Sequence, residues 1–244
     1  MQRERLYWKI VPVSRKYSGF AGICVPWEQK LQGDGTSEIR IQGVKSLSAG
    51  CIQVPPDRIV SGTYICAAAI TRSQIVLENP PEGELKAFLE VYRKMGGQYK
   101  GNSGKLLVNG KNVQSPVKLL ETGVYPGFPT DLQSPVMAVL STIEGESCIR
   151  EMVFEDRYKA ADQLRKMGAR IRVQGNEAVI CGVKTLHGAA VQAQELRGGA
   201  SLILAALGAK GVTVLEGYSF VQRGYEHICQ DLNALGAAVK RIQE

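Results

Sequence analysis

A unit that occurs three times constrains this chain more than anything else in it. Residues 70–97, 142–169 and 209–237 each run through a short apolar strand, a break and a helix. Each stops at a glycine after Met or Leu: Lys94-Met95-Gly96-Gly97, Lys166-Met167-Gly168-Ala169 and Ala234-Leu235-Gly236-Ala237. A second helix lies upstream of each unit, opened by Asp57-Arg58, by Asp131 or by Glu195-Leu196-Arg197. Units of this kind can bury one shared core and point equivalent helix ends the same way. A helix N-terminus carries partial positive charge and free N–H donors, which suits an anionic ligand.

Each unit reads as βαβαβ, which predicts an α/β fold with helices packed on sheets. In the first, Asp57 caps a helix through Ile59, Ile65 and the alanines before Thr71. A strand over 74–78 and a break at Asn79-Pro80-Pro81 lead to a helix with Leu85, Phe88, Leu89, Tyr92 and Met95 at a 3.6-residue period. In the second, Asp131 opens a helix through Val136, Val139, Leu140 and Ile143, with Pro135 near its first turn. A strand over 147–151, a helix from about Asp156 burying Ala160, Ala161, Leu164 and Met167, and a hairpin across Gly175-Asn176 follow. In the third, Leu196, Ala200, Ile203, Leu204 and Leu207 form a helix stripe, and 212–215 a strand. Tyr225, Ile228, Leu232 and Leu235 line the last helix, and Ala238-Val239 begin a final strand. Residues 1–32 hold Trp8 and Trp27 and no sustained period; they read as a lead segment. A turn cluster at 32–36 and an alternating strand at 38–44 come next.

The 244 residues are 44% apolar and 22% charged, enough for a globular core without disulfides or a structural metal. The six cysteines form no Cys-x-x-Cys pair and the two histidines, His187 and His227, have no metal or triad spacing. No metal or other cofactor is expected, and scattered thiols point to a reducing, cytoplasmic setting. The longest apolar stretch, around 201–209, is too short to span a membrane. Net charge is +7, but every basic run is broken and no aromatic platform accompanies it. Nucleic acid is therefore not the expected partner; a mildly basic surface or a pocket for phosphorylated small molecules is.

Two units share a finer motif. Phe154-Glu155-Asp156-Arg157 and Phe220-Val221-Gln222-Arg223 each place Phe and Arg three residues apart at an expected helix start, followed by Tyr158 or Tyr225. The first unit has Pro80-Pro81-Glu82-Gly83 there. An arginine at that end opposes the helix dipole by up to about 1 kcal/mol. A bound phosphate or carboxylate would offset this, and so would an ion pair of Arg157 with Asp156 or Glu155. Asp131 is either a helix cap or a proton-accepting carboxylate at the mouth of a positive cleft. Arg197 beside Glu195 is either a paired surface charge or a further guanidinium in that cleft. No nucleophile elbow is present, and Gly33-x-Gly35 and Gly198-Gly199 extend to no Rossmann or Walker pattern.

Phe128-Pro129-Thr130-Asp131, Phe154-Glu155-Asp156-Arg157, Glu195-Leu196-Arg197-Gly198-Gly199-Ala200 and Arg223-Gly224-Tyr225-Glu226 together resemble the UDP-N-acetylglucosamine 1-carboxyvinyltransferase family of enolpyruvyl transferases. Pro56-Asp57-Arg58-Ile59 with Gly62-Thr63 resembles the start of that family's second domain. The resemblance implies an inside-out α/β barrel domain of three βαβαβ-type repeats. It implies transfer of enolpyruvyl from phosphoenolpyruvate to the 3′-hydroxyl of UDP-N-acetylglucosamine, in peptidoglycan synthesis. It also implies site residues: Asp131 at the sugar hydroxyl as general base, Val153 at the UDP-sugar through its backbone, Arg197 and Arg223 at the phosphoenolpyruvate phosphate and carboxylate, and Arg157 helping to close the cleft.

Where the family has Asp, Asn and His-Ile-Asp-Arg, this chain has Glu195, Asp156 and Phe220-Val221-Gln222-Arg223. The family's first domain supplies a loop cysteine, a Lys-Asn pair and most uridine contacts, and no counterpart is found in the sequence. The expected division is a divergent lead segment over 1–32, a remnant of the first domain over 33–54 and the second domain over 55–244. A truncated or frame-shifted gene would produce this pattern. The alternative to a working transferase is a catalytically incomplete fragment that only binds or interacts, self-associating through the surface a missing domain leaves.

Overall fold

A computed structural model describes residues 6–9, 30–32, 38–42, 51 and 53–242. The chain divides into two compact units, Met1–Pro56 with Val124–Gly127, and Asp57–Gly123 with Phe128–Glu244. In the first, β1 (Leu6–Lys9), β2 (Lys30–Gln32) and β3 (Glu38–Gln42) form an antiparallel sheet in the order β1-β3-β2. The lead segment thus supplies two strands where no period announced them, because both pair with the alternating stretch that forms β3. The expected turn residues 33–36 lie outside the described residues, as do 43–50.

The second unit opens with α1 (Arg58–Ile70), β4 (Gln74–Glu78), α2 (Lys86–Lys94), β5 (Gln98–Asn102) and β6 (Lys105–Asn109). The next repeat runs β7 (Leu120–Glu121), α3 (Gln133–Leu140), β8 (Gly145–Arg150), α4 (Lys159–Lys166), β9 (Arg170–Gln174) and β10 (Glu177–Gly182). The last runs β11 (Leu186–His187), β12 (Ala190–Gln192), α5 (Leu196–Gly208), β13 (Ala209–Lys210), β14 (Val214–Glu216), α6 (Tyr218–Gln222) and α7 (Ile228–Ala234).

The first helix of each repeat lies inside. All eight residues of α3 are buried, as are residues 65–70 of α1 and 198–205 of α5. A helix apolar on every side has no solvent face, so it belongs at the centre, and α1, α3 and α5 pack on one another there. Small residues permit the approach: a side chain at Gly62 would run into Leu132. The second helices differ. In α2, Phe88, Leu89, Val91 and Tyr92 are buried while Lys86, Glu90, Arg93 and Lys94 are exposed; α4 follows the same rule with Ala160, Ala161 and Leu164 inward. The sheets sit outside, with alternate residues turned toward the helices, as in β6 and β10.

Strand order is β4-β6-β5 in the first repeat and β7-β8-β10-β9 in the second. In the second, β7 runs parallel to β8 with α3 between them in sequence. In the third, β11 pairs with β13 and β12 with β14, both parallel, around α5. The hairpin across Gly175-Asn176 forms as expected, with Glu177 opposite Gln174 and Gly175 at φ +58°. Gly110 and Gly182 hold matching places after β6 and at the end of β10. Each lies so near a backbone carbonyl, of Ala68 or Ile143, that a Cβ would collide with it.

The third repeat departs from expectation. Its last helix is two short ones, α6 and α7, with Tyr225 between them, and Leu235 is exposed rather than lining a core. The strand expected at 212–215 starts at Val214. Ala238-Val239 begin no strand: the Asn233 amide binds both the Val239 N–H, at 2.9 Å, and its C=O, at 2.7 Å. One side chain satisfies the groups a partner strand would have used. The expected helix start near Asp156 moves to Lys159, because Asp156 itself adopts φ +52°.

Gly182→Ala should lower the urea unfolding free energy by about 1–3 kcal/mol, since the Ile143 carbonyl it would strike is main chain. Burial raises the phenol of Tyr218 to about 12, and it pushes those of Tyr64, Tyr92, Tyr158 and Tyr225 upward too. A phenol raised in the folded chain stabilises it fully below the unfolded value of about 10. That contribution disappears as pH rises through the folded values. Stability should therefore fall above pH ~10, with most phenolate absorbance appearing together with unfolding rather than before it.

Candidate functional site

Two of the three inner helices have N-termini already filled by their own carboxylates. Asp57 Oδ1 accepts from the N–H groups of Ile59 at 2.6 Å and Val60 at 3.4 Å. Glu195 accepts from Arg197 N at 2.8 Å and from Gly198 N. These backbone donors are therefore not open to a ligand, and Asp57 caps its helix as expected. Positive charge at the site comes from side chains instead.

Asp131 lies in the 3₁₀ turn Thr130–Leu132 that leads into α3, and its side chain caps nothing. Its Oδ1 receives Arg157 Nη2 at 2.9 Å and Arg197 Nε at 3.5 Å. Both guanidinium groups meet that one oxygen, and Oδ2 accepts no hydrogen bond among the described residues. The carboxylate is about one-third exposed, whereas the Arg197 side chain is 14% exposed. Burial of this kind strengthens an ion pair relative to a surface one.

Arg157 follows β8 on the segment leading to α4. Its guanidinium stands 5.3 Å from the centre of the Phe154 ring, a distance suited to cation–π attraction. Its Nε is buried without a hydrogen-bond partner among the described residues. The ion pair considered with Asp156 or Glu155 does not form; Asp156 instead meets Lys159 at 3.2 Å. Arg197 occupies the first turn of α5, where Glu195 and Asp131 offset its opposition to the helix dipole. Its guanidinium also sits 5.9 Å from the Tyr225 ring centre, with Nη1 3.4 Å from the Tyr225 hydroxyl. That hydroxyl lies 2.7 Å from Thr63 Oγ1 on α1. A connected line thus runs Thr63–Tyr225–Arg197–Asp131–Arg157 through all three repeats.

Of the residues singled out in the sequence, Asp131, Arg157 and Arg197 come together. Val153 is on the Arg157 segment, its N–H bound to Glu151 at 2.9 Å. Arg223 is not drawn into the cluster. It ends α6 rather than opening a helix, is exposed, and its side chain makes no hydrogen bond or ion pair among the described residues. The Phe–Arg spacing shared with 154–157 is therefore not a shared geometry. The next residue, Gly224, does lie against Leu196 and Arg197.

One residue was read only as strand and is more than that. Glu151, 3% exposed, accepts from Thr122 Oγ1 at 2.8 Å, Val153 N at 2.9 Å and Phe154 N at 3.2 Å through Oε1. Its Oε2 accepts from Thr130 Oγ1 at 2.8 Å. Its own backbone pairs with Asn176 across the hairpin. The signal in the sequence is a carboxylate at the strand's end, directly ahead of the apolar Met152-Val153-Phe154. Such a charge is too costly to bury unless several donors meet it. Beside it opens a cavity of about 420 Å³, lined by residues 151–158 with Gly175 and Asn176. No group of three or more His, Cys, Asp or Glu among the described residues could hold a metal.

The EPSP synthase (3-phosphoshikimate 1-carboxyvinyltransferase) family model matches residues 28–232. A UDP-N-acetylglucosamine 1-carboxyvinyltransferase of Desulfofundulus thermocisternus is 44% identical over 87% of this chain and 87% of its own length. The one from Lawsonia intracellularis is 40% identical over 88% of this chain, which spans 51% of that relative. Against several other curated relatives the chain likewise spans about half their length. The enolpyruvyl transferase NikO from Streptomyces tendae superposes with a TM-score of 0.85 at 23% identity, over 98% of this chain and 57% of that one. An EPSP synthase from Acinetobacter baumannii gives 0.68 at 20% identity, over 91% and 54%. At such identities the likeness shows the fold.

Glu195→Ala should free two N–H donors of α5 and cost about 1 kcal/mol, read as a lowered midpoint in thermal or urea unfolding.

Proposed function

Because this chain belongs to the EPSP synthase (3-phosphoshikimate 1-carboxyvinyltransferase) family, we propose that its charged cluster is one wall of an enolpyruvyl-transfer site. The substrates in this reading are phosphoenolpyruvate and UDP-N-acetylglucosamine, the specificity carried by the names of the relatives 40–44% identical to it. The setting would be cell-wall peptidoglycan synthesis. The single observation that carries the reading is Asp131, with Oδ1 occupied by two guanidinium groups and Oδ2 open.

In this mechanism Asp131 Oδ2 accepts the proton of the sugar 3′-hydroxyl as the hydroxyl oxygen bonds to the enol carbon, and a solvent-supplied acid gives a proton to the methylene carbon. The tetrahedral intermediate carries both phosphate and carboxylate. Loss of phosphate, with a proton from the methyl carbon, restores the double bond. Arg157 and Arg197 contribute fixed positive charge in a partly desolvated setting, where it stabilises developing negative charge more than in water. Their pairing with Asp131 keeps the three groups in register before substrate arrives. Val153 offers backbone contact to the UDP-sugar, and Arg223, exposed beside Gly224, has room to swing toward an anion. The boundary in this reading falls near residue 55, and the compactness of Asp57–Gly123 with Phe128–Glu244 supports it.

Phosphate release measured with both substrates should be detectable, and Asp131→Ala should cut it about 100- to 10,000-fold, the usual contribution of a general base. An unmutated chain that releases no phosphate above background would sink the proposal of turnover. Failure to bind UDP-N-acetylglucosamine in a calorimetric titration would sink the site itself.

A further inference from the structure

We propose that Glu151 is a positioning residue for the sugar-nucleotide site, acting through Arg157; this rests on the site reading above. The sequence resemblance assigns Glu151 no role, and it would meet no substrate itself; of the residues that would, it holds Val153 by its N–H. Its contribution is geometric. One buried carboxylate gathers donors from three places in the chain: Thr122 after β7, Thr130 beside Asp131, and the backbone of Val153 and Phe154 after β8. Thr122 Oγ1 in turn accepts from Met152 N at 2.9 Å. The N–H groups of residues 152–154 are thus all held, directly or through one hydroxyl, by the same carboxylate.

Successive N–H groups aimed at one anion form a concave nest whose shape the anion fixes. In most proteins that anion is a ligand; here it is part of the chain. The consequence follows from position. The segment carrying Val153, Phe154 and Arg157 has no regular structure between β8 and α4, so neither a helix nor a ladder sets its path. Glu151 sets it from one side, and Thr130 ties the same carboxylate to the turn that presents Asp131. The Arg157–Asp131 distance of 2.9 Å is thereby fixed by Glu151 from both ends. Charge-assisted hydrogen bonds of this kind are roughly twice as strong as neutral ones, so the joint is stiff.

The test is calorimetric titration with UDP-N-acetylglucosamine, joined to amide exchange by mass spectrometry and to thermal melting. Glu151→Ala should weaken binding tenfold or more, and Glu151→Gln, which keeps the acceptor toward Val153 and Phe154, should recover most of that loss. In an Arg157→Ala background, Glu151→Ala should cost at least threefold less than it does alone, because the part of its effect that passes through that guanidinium is already gone. Amides of Val153 and Phe154 should exchange at least tenfold faster in Glu151→Ala, with that of Val179 in β10 unchanged. If Glu151→Ala does not fold, Thr130→Val takes its place. It cuts only the Oε2 tie and should weaken binding threefold or more with Arg157 present and not without it. Additive losses in the double variant, or loop exchange that ignores the substitution, would overturn the proposal. If the unmutated chain binds no UDP-N-acetylglucosamine, the site reading falls. Exchange then decides for the joint alone: unaltered loop protection overturns the claim that Glu151 sets the path of the 152–157 segment, and selective loss of protection upholds that claim without the sugar nucleotide.

Discussion

Three helices packed on one another at the centre govern this molecule. α3 has no face to give to water and α1 and α5 are buried over residues 65–70 and 198–205, so the rest of the Asp57–Gly123 and Phe128–Glu244 unit must surround them. Their closeness depends on small residues at the contacts, such as Gly62 against Leu132 and Gly208 against Ile70. The sheets then lie outside, each with one side inward and one toward solvent, and the amphipathic α2 and α4 fit the same rule. The site is a by-product of this arrangement. Asp131 enters α3, Arg197 begins α5, and Thr63 lies in the second turn of α1, so tight helix packing brings their polar ends within reach of one another.

Parts of the fold with local causes were legible in the sequence. The stripe Leu85, Phe88, Leu89, Tyr92 and Met95 is buried throughout, and Asp57 caps α1 as its position after Pro55-Pro56 implied. The hairpin at Gly175-Asn176 follows from turn chemistry alone. The third repeat misled because its period continues through a break. Tyr225 keeps helical spacing with Ile228 and Leu232 yet stands between α6 and α7, where its hydroxyl is bound by Thr63 and Arg197.

The site was half visible for similar reasons. Motif spacing marked Asp131, Arg157 and Arg197, but whether Asp131 capped a helix or faced an arginine depended on a partner 26 residues away. The matching spacing around Arg223 carried no matching geometry, since a short helix ends there instead of beginning. Glu151 escaped notice because its donors, Thr122 and Thr130, come from 29 and 21 residues upstream. Only the cost of burying a lone carboxylate hinted at it.

The sealed ends of α1 and α5 bear on how such a site can change over generations. Main-chain donors are hard to replace one at a time, because every residue type except proline supplies the same N–H. Here Asp57 and Glu195 occupy those donors, and in the proposed site the charge offered to an incoming anion resides in individual guanidinium side chains. Preference among anions can therefore drift by single codon changes at the rim, while the triple-helix interior that holds the rim in place stays as it is.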